Sequence, residues 1–265
     1  MTEVLQIFVG GILLGAIYAL IALGFSLIYR VTGVVNLSQG GFAVVAALAG
    51  YTFSQQLGMP LPIALVCAVG GTALAGLAVG WFTFVPALKK LSNANVLMLT
   101  VGILTLIEGF SLIIWGSQPY SVPAFSGEQP LEFFGLRITT QTFWILGTSL
   151  TVFVLLWLLI SRTKVGKALR ACSENPSAAA LMGINVKRMT VLSFTLATLI
   201  AATAGVVVAP TTTLQFNTGQ LFTISGFIAV VIGGISSFPG AIVGGLFLGL
   251  VTQFATAYVS SLFSN

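Results

Sequence analysis

The sequence predicts an all-α polytopic membrane bundle of about eight membrane segments, and three observations carry that expectation. Of the 265 residues, 57% are hydrophobic and only 6% are charged, against roughly a quarter charged in soluble domains. Apolar runs recur from one end of the chain to the other, many near the length of about 20 residues that a helix needs to cross a hydrocarbon layer. The charges that do occur fall almost wholly in the gaps between those runs. A β-barrel would show short alternating segments instead, and a helix pairs every backbone group within one lipid-exposed segment.

Cutting at charges and turn residues gives apolar runs at 4–29, 36–55, 62–87, 94–115, 142–161, 189–209, 222–235 and 239–259, all within a single membrane domain spanning 1–265. The first run follows Glu3 without a basic leader and is too long for a signal-peptide core, so it reads as a retained helix. With the N-terminus outside, Arg30, Lys89, Lys90, Arg162, Lys164, Lys167, Arg170, Lys187 and Arg188 all face the cytoplasm. Nine of the ten basic residues then obey the positive-inside rule. Arg137 is the exception, in an outer loop at 116–141 that also holds Glu128, Glu132 and three prolines. The net charge of +5 is thus a topology signal and not a nucleic-acid surface.

The run ending at Ile235 is too short to cross comfortably, and Gly233-Gly234-Ile235-Ser236-Ser237-Phe238-Pro239-Gly240 follows at once. Two readings are open: a tight turn between spans, or a broken helix pair whose freed backbone groups face a protein-lined cavity. Asn36-Leu-Ser-Gln39-Gly-Gly-Phe and Asn217-Thr-Gly-Gln220-Leu-Phe form a weak internal echo. The topology places the first at the inner face and the second at the outer face, as an inverted repeat requires. Glycines four apart (11 and 15, 76 and 80, 240 and 244, 245 and 249) suit close helix packing and single out no dimer face.

The chemical inventory excludes most catalysis. There is no His and no Asp, with five Glu and two Cys, so a Ser/His/Asp triad, a His-containing zinc site and an aspartyl dyad are ruled out. Cys67 and Cys172 lie in unlike surroundings and are expected to form no disulfide. Glu108, the one acidic residue inside an apolar run, is a functional candidate because burying a carboxylate is expensive; a structural hydrogen-bonding role is the competing reading. Asn36, Ser38, Gln39, Asn217 and Gln220 sit at the ends of apolar segments, where they either cap helices or line a pathway.

The cytoplasmic loop 162–188 is the most informative polar stretch. Asn175 is suited to cap a short helix, Pro176 to open it and Gly183 to end it in the left-handed conformation. Ala178, Ala179, Ala180, Leu181 and Met182 would then form an apolar knob, fitted to a partner's groove or to the lipid interface.

Here the chain resembles a known family: the permeases of ATP-binding-cassette importers, specifically those of the branched-chain amino acid type. Three passages carry the resemblance. They are Ala22-Leu-Gly-Phe-Ser-Leu-Ile-Tyr-Arg30 running into Val35-Asn36-Leu-Ser-Gln39-Gly40; Gly166-Lys-Ala-Leu-Arg170 with Ala179-Ala-Leu-Met-Gly183-Ile-Asn185; and Gly233-Gly-Ile-Ser-Ser-Phe-Pro239-Gly240-Ala. The resemblance implies a multi-pass protein of the bacterial cytoplasmic membrane. It implies a second related permease beside it, two cytoplasmic ATP-binding subunits and an extracytoplasmic solute-binding protein.

Carried over by position, Glu174, Asn175, Pro176, Ala179, Ala180, Met182, Gly183, Ile184 and Asn185 would dock an ATP-binding subunit. ATP and Mg would be held on those partners, since this chain has no Walker-type phosphate loop and is expected to bind no cofactor. Two departures stand out: the family commonly has His or another polar residue where Gln39 stands, and it continues with one more apolar helix after position 259. The resemblance puts branched-chain amino acids first as substrates, with other amino acids, urea or short amides, and small aromatic acids behind. A passive facilitator finds a faint echo in Asn175-Pro176-Ser177, and a serine hydrolase at Ser236 or Ser237 lacks a base.

Overall fold

The computed structural model describes residues 2–127, 131–133 and 136–263. The helices are α1 (Thr2–Thr32), α2 (Gln39–Tyr51), α3 (Leu61–Val79), α4 (Val85–Lys90), α5 (Asn93–Trp115), α6 (Thr140–Arg162), α7 (Lys164–Glu174), α8 (Pro176–Leu181), α9 (Val186–Val208), α10 (Thr218–Gly233) and α11 (Phe238–Phe263). A π-helical turn at Gly80–Phe84 joins α3 and α4 into one long span, and another at Thr52–Gln56 extends α2. Among the described residues, six helices are long and apolar enough to cross a membrane. All eight apolar runs are helical, but α10 has only 16 residues, and α2 has 13 before the π-helical turn that carries it to Gln56. At about 1.5 Å per residue α10 is too short to traverse the hydrocarbon layer unaided, and α2 starts at mid-depth, where Gln39 meets Ala197 halfway along α9.

The only strands among the described residues, β1 (Leu131–Phe133) and β2 (Leu136–Ile138), form an antiparallel hairpin in the 116–141 loop, with Glu132 opposite Arg137. Glu128 lies outside the described residues. Tyr120 in the same loop exchanges backbone hydrogen bonds with Leu214 at 2.8 and 2.9 Å, tying the loop to the segment before α10.

Small side chains decide which helices are central. α9 is lined by Ala197, Ala201, Ala202, Ala204 and Gly205, all buried, so α1, α2 and α3 close onto it. A methyl group at Gly205 would overlap the Ala43 carbonyl, and one at Gly76 would overlap Thr198. α1 and α11 run antiparallel, as the pairing of Gly11 with Leu250, Gly15 with Leu246 and Ala19 with Gly245 shows. The four glycine pairs read from sequence all serve such seams within the chain. α5 and α6 lie at the periphery with apolar faces outward, including Phe110, Ile113, Leu150 and Trp157.

Nine of the ten basic residues collect at one end of the bundle, where α1, α4 and α6 finish, α9 begins and α7 and α8 lie. The 233–240 breaker is at this end also. Gly234 adopts φ 91°, Ser237 N–H donates to the Gly234 carbonyl at 3.0 Å and Gly240 N–H donates to Ser237 Oγ at 3.1 Å. Phe238 lies under the Arg30 guanidinium, 4.6 Å from ring centroid to Cζ. Gly233, Gly234, Ser236, Ser237, Pro239 and Gly240 therefore build a tight turn, and the broken-helix reading of this segment is corrected. Ala229 and Gly233 approach Gly240 and Gly244 too closely for any side chain, which is why the turn needs its glycines.

The real discontinuities are at 33–38 and 212–217, where an extended segment carries the chain back and α2 or α10 starts inside the bundle. Each unit repeats one pattern: a long helix (α1 or α9), an extended return, a short helix (α2 or α10) and another long helix (α3 or α11).

Candidate functional site

The starts of α2 and α10 lie against each other. Gly40 N–H donates to Thr223 Oγ1 at 3.1 Å, and that hydroxyl donates to the Leu37 carbonyl at 3.2 Å. A methyl group on Gly40 would overlap the Gly219 carbonyl. The sequence reading placed the Asn36 and Asn217 motifs at opposite faces; the structure brings them to one junction. The reason is length, since short helices leave their N-termini at depth and the extended returns deliver them there.

Asn36, Ser38 and Gln39 are fully buried. Asn36 Oδ1 accepts from Ser38 N–H at 3.2 Å and Ser38 Oγ at 2.7 Å, so this pair shapes the turn before α2. Gln39 Nε2 donates to the Ala197 carbonyl at 2.6 Å in mid-α9, filling the space left by Gly24. Thr100 of α5 accepts from Leu37 N–H at 3.1 Å. Three buried polar atoms here have no partner among the described residues: Asn36 Nδ2, Gln39 Oε1 and Glu108 Oε1. Glu108 is 8% exposed, and its other oxygen accepts from Gln220 Nε2 at 2.9 Å. Asn217 and Gln220 face outward from α10. Asn217 makes no side-chain capping bond.

The second feature is the platform at the basic end. Thr163 caps α7 by accepting from Gly166 N–H at 3.0 Å, and Arg170 donates to the Ile160 carbonyl. Asn175 caps α8, accepting from Ala178 N–H at 3.0 Å; Pro176 opens that helix, and Gly183 ends it at φ 82°. Asn185 caps α9 by accepting from Arg188 N–H at 3.0 Å. The punctuation read from sequence is thus present atom by atom.

One docking residue needs correction. Ala179 points inward, 4% exposed, into a small core with Val31, Leu169 and Cys172, and Ile184 packs half-buried against it. A two-turn helix on a support must bury one face. Glu174 and Ala180 remain exposed, while Leu181 and Met182 project, 89% and 83% exposed. Burial pushes the Cys172 thiol up from its ordinary value. A cleft of about 500 Å³ separates the platform from the bundle, bordered by Arg30, Glu174, Pro176 and Ser236.

A family model described as the branched-chain amino acid transport system permease component matches residues 7–264. The chain belongs to that family. This permease is 30% identical to the high-affinity branched-chain amino acid transport system permease protein LivH of Escherichia coli K12, over 98% of this chain and 89% of LivH. It is 27% identical to the ribose import permease protein RbsC of the same organism, over 90% and 74%. Among solved structures, PsaBC from Streptococcus pneumoniae in complex with Fab superposes with a TM-score of 0.50 at 17% identity, covering 95% of this chain and 83% of that one. That likeness concerns the fold.

Sequence reasoning missed two parts of the permease: α7 as a helix of its own, and Thr223 as the pin between α2 and α10. Gly166 signalled the first, since a methyl group there would overlap the end of α6. A single threonine in an apolar run signalled nothing.

Proposed function

We propose that this permease is the membrane-spanning subunit of an ATP-binding-cassette importer in a bacterial cytoplasmic membrane, with its N-terminus outside. It carries branched-chain or related amino acids by alternating access. Beside it stands a second related permease, two ATP-binding subunits hold ATP and Mg in the cytoplasm, and a solute-binding protein delivers substrate from outside.

The observation that carries this reading is the Leu181–Met182 tip of α8. Two large apolar side chains on a polar platform are unfavourable to leave in water, at about 1.5–3 kcal/mol each, and a groove on a partner removes that cost. The platform is also wired for transmission. Ala179 and Cys172 seat it on Val31 near the end of α1, and Arg30 one residue earlier stacks on Phe238 at the start of α11. A push on α8 thus reaches the antiparallel α1–α11 pair directly. Nucleotide on the partners then shifts the balance between conformers through their differential affinity for α8.

Pathway lining is assigned to Asn217 and Gln220, which face outward, with Glu108 positioning Gln220 from behind. The buried Asn36, Ser38 and Gln39 act as a lock holding the junction.

Co-purification tests the reading. Leu181→Glu with Met182→Glu should leave membrane abundance unchanged, reduce recovery of the ATP-binding subunits at least about tenfold, and abolish uptake. Full recovery and uptake in the double variant would remove the docking role.

A further inference from the structure

A cavity of about 430 Å³ opens between α1, the end of α9, α10 and α11, away from the basic residues. We propose that it is a substrate subsite in which the permease holds an aliphatic, zwitterionic α-amino acid during passage. The inference rests on the importer reading above and adds where the ligand sits and what selects it.

Three properties of the cavity carry the assignment. Its size falls in the range of small-molecule sites, about 300–1,000 Å³. Its chemistry is divided: Leu13, Leu14 and Ile17 of α1 with Phe222 of α10 make an apolar wall, while Thr212, Thr218, Ser225 and Gln253 contribute hydroxyls and an amide. None of the described residues lining it is charged, so a ligand with net charge would find no counter-ion among them in a low-dielectric setting.

A zwitterion is different, because its two charges are neighbours and each asks only for dipoles. The hydroxyls and the amide supply donors for a carboxylate and acceptors for an ammonium. Thr218 opens α10 on the border of the same cavity, so an N–H-rich helix start is at hand for a carboxylate. An aliphatic side chain would lie on the leucine wall. A sugar would leave that wall facing hydroxyl groups.

Unfilled hydrogen-bonding capacity points the same way. Ser225 and Gln253 are half-buried, and the side chain of neither makes a hydrogen bond among the described residues. The Gln253 amide is held against α1 at Gly10, where a methyl group would come within 3.1 Å of it. Gly10 thereby keeps the amide close to the apolar wall, within reach of a ligand's polar head.

The test uses the complete transporter, with both permeases, the ATP-binding subunits and the solute-binding protein, in lipid nanodiscs and in proteoliposomes. Alkylation of Ser225→Cys by a small maleimide is followed by peptide mass spectrometry; Gln253→Cys reads the same cavity should the first variant fail to assemble. Saturating L-leucine should slow alkylation at least about fivefold, and L-lysine and D-ribose should not. Leu14→Ala, which deepens the apolar wall, should raise uptake of L-phenylalanine relative to L-leucine by about tenfold. Intact leucine uptake with an alkylation rate indifferent to leucine overturns the subsite alone, as does equal protection by lysine or ribose. Absence of any amino acid uptake by the wild-type assembly overturns the importer reading, and the subsite with it.

Discussion

Thr223 does at the residue scale what none of the more conspicuous polar residues does. Its hydroxyl accepts from Gly40 N–H and donates to the Leu37 carbonyl, joining two re-entrant helices that share no covalent neighbour. Thr223 is 4% exposed, so deleting the hydroxyl leaves the buried Gly40 N–H and the part-buried Leu37 carbonyl unmet, at about 1–3 kcal/mol. Thr223→Val keeps the shape and should lower the thermal midpoint of the detergent-solubilised protein by several degrees, whereas Thr223→Ser should restore it. Equal midpoints for the valine and serine variants would show that packing, not the hydrogen bonds, holds the junction. The sequence could not single out this residue, because threonine is common in apolar helices and its partner lies 183 positions away in the chain. Asn36 and Gln39 were legible as polar residues of consequence, but their full burial depends on a return loop whose depth no local pattern encodes.

At the element scale, α8 is the best-marked part of the chain and the one whose mechanics are most exposed to test. Its cap, its opening proline and its left-handed terminator are all short-range devices, so sequence reading recovers them. The inward turn of Ala179 is not short-range; it follows from Val31, Leu169 and Cys172 gathering beneath it. Gly183 at φ 82° tolerates no β-branched side chain without strain, about 1–3 kcal/mol. Gly183→Val should therefore loosen α8 from its seat. Cys172 reports this, since it is buried and its thiol is held above its ordinary range, and only the thiolate reacts. At about pH 7.5, where an unperturbed thiol is about one-tenth thiolate, alkylation of Cys172 should be slow in the wild type and several-fold faster in Gly183→Val. ATP hydrolysis in the assembled transporter should lose its dependence on substrate in the same variant. Unaltered Cys172 reactivity together with normal coupled uptake would mean that α8 does not need its terminator.

For the molecule as a whole, helical class and the location of the eight apolar runs followed from hydrophobicity alone, because in lipid a backbone has few alternatives to a helix. Which runs cross and which stop half-way did not, because α2 and α10 are as apolar as their neighbours and differ in length and in their partners. Orientation is the molecular property that charge placement decides. Nine of the ten basic residues gather at the end that carries α7 and α8, and moving them across the hydrocarbon layer would cost about 2.5–3.5 kcal/mol each at its centre. That end should face the cytoplasm. Gln118→Cys, exposed in the loop that carries the hairpin, and Ser177→Cys, exposed at the first turn of α8, sit at opposite ends and can be read in intact cells with a membrane-impermeant maleimide. Of the native cysteines, Cys172 is buried and Cys67 lies on the apolar α3, so neither should give appreciable background with a charged reagent. Gln118→Cys should label in intact cells and Ser177→Cys only after permeabilisation. The reverse pattern would invert the bundle, place α8 away from ATP, and end the importer reading at a stroke.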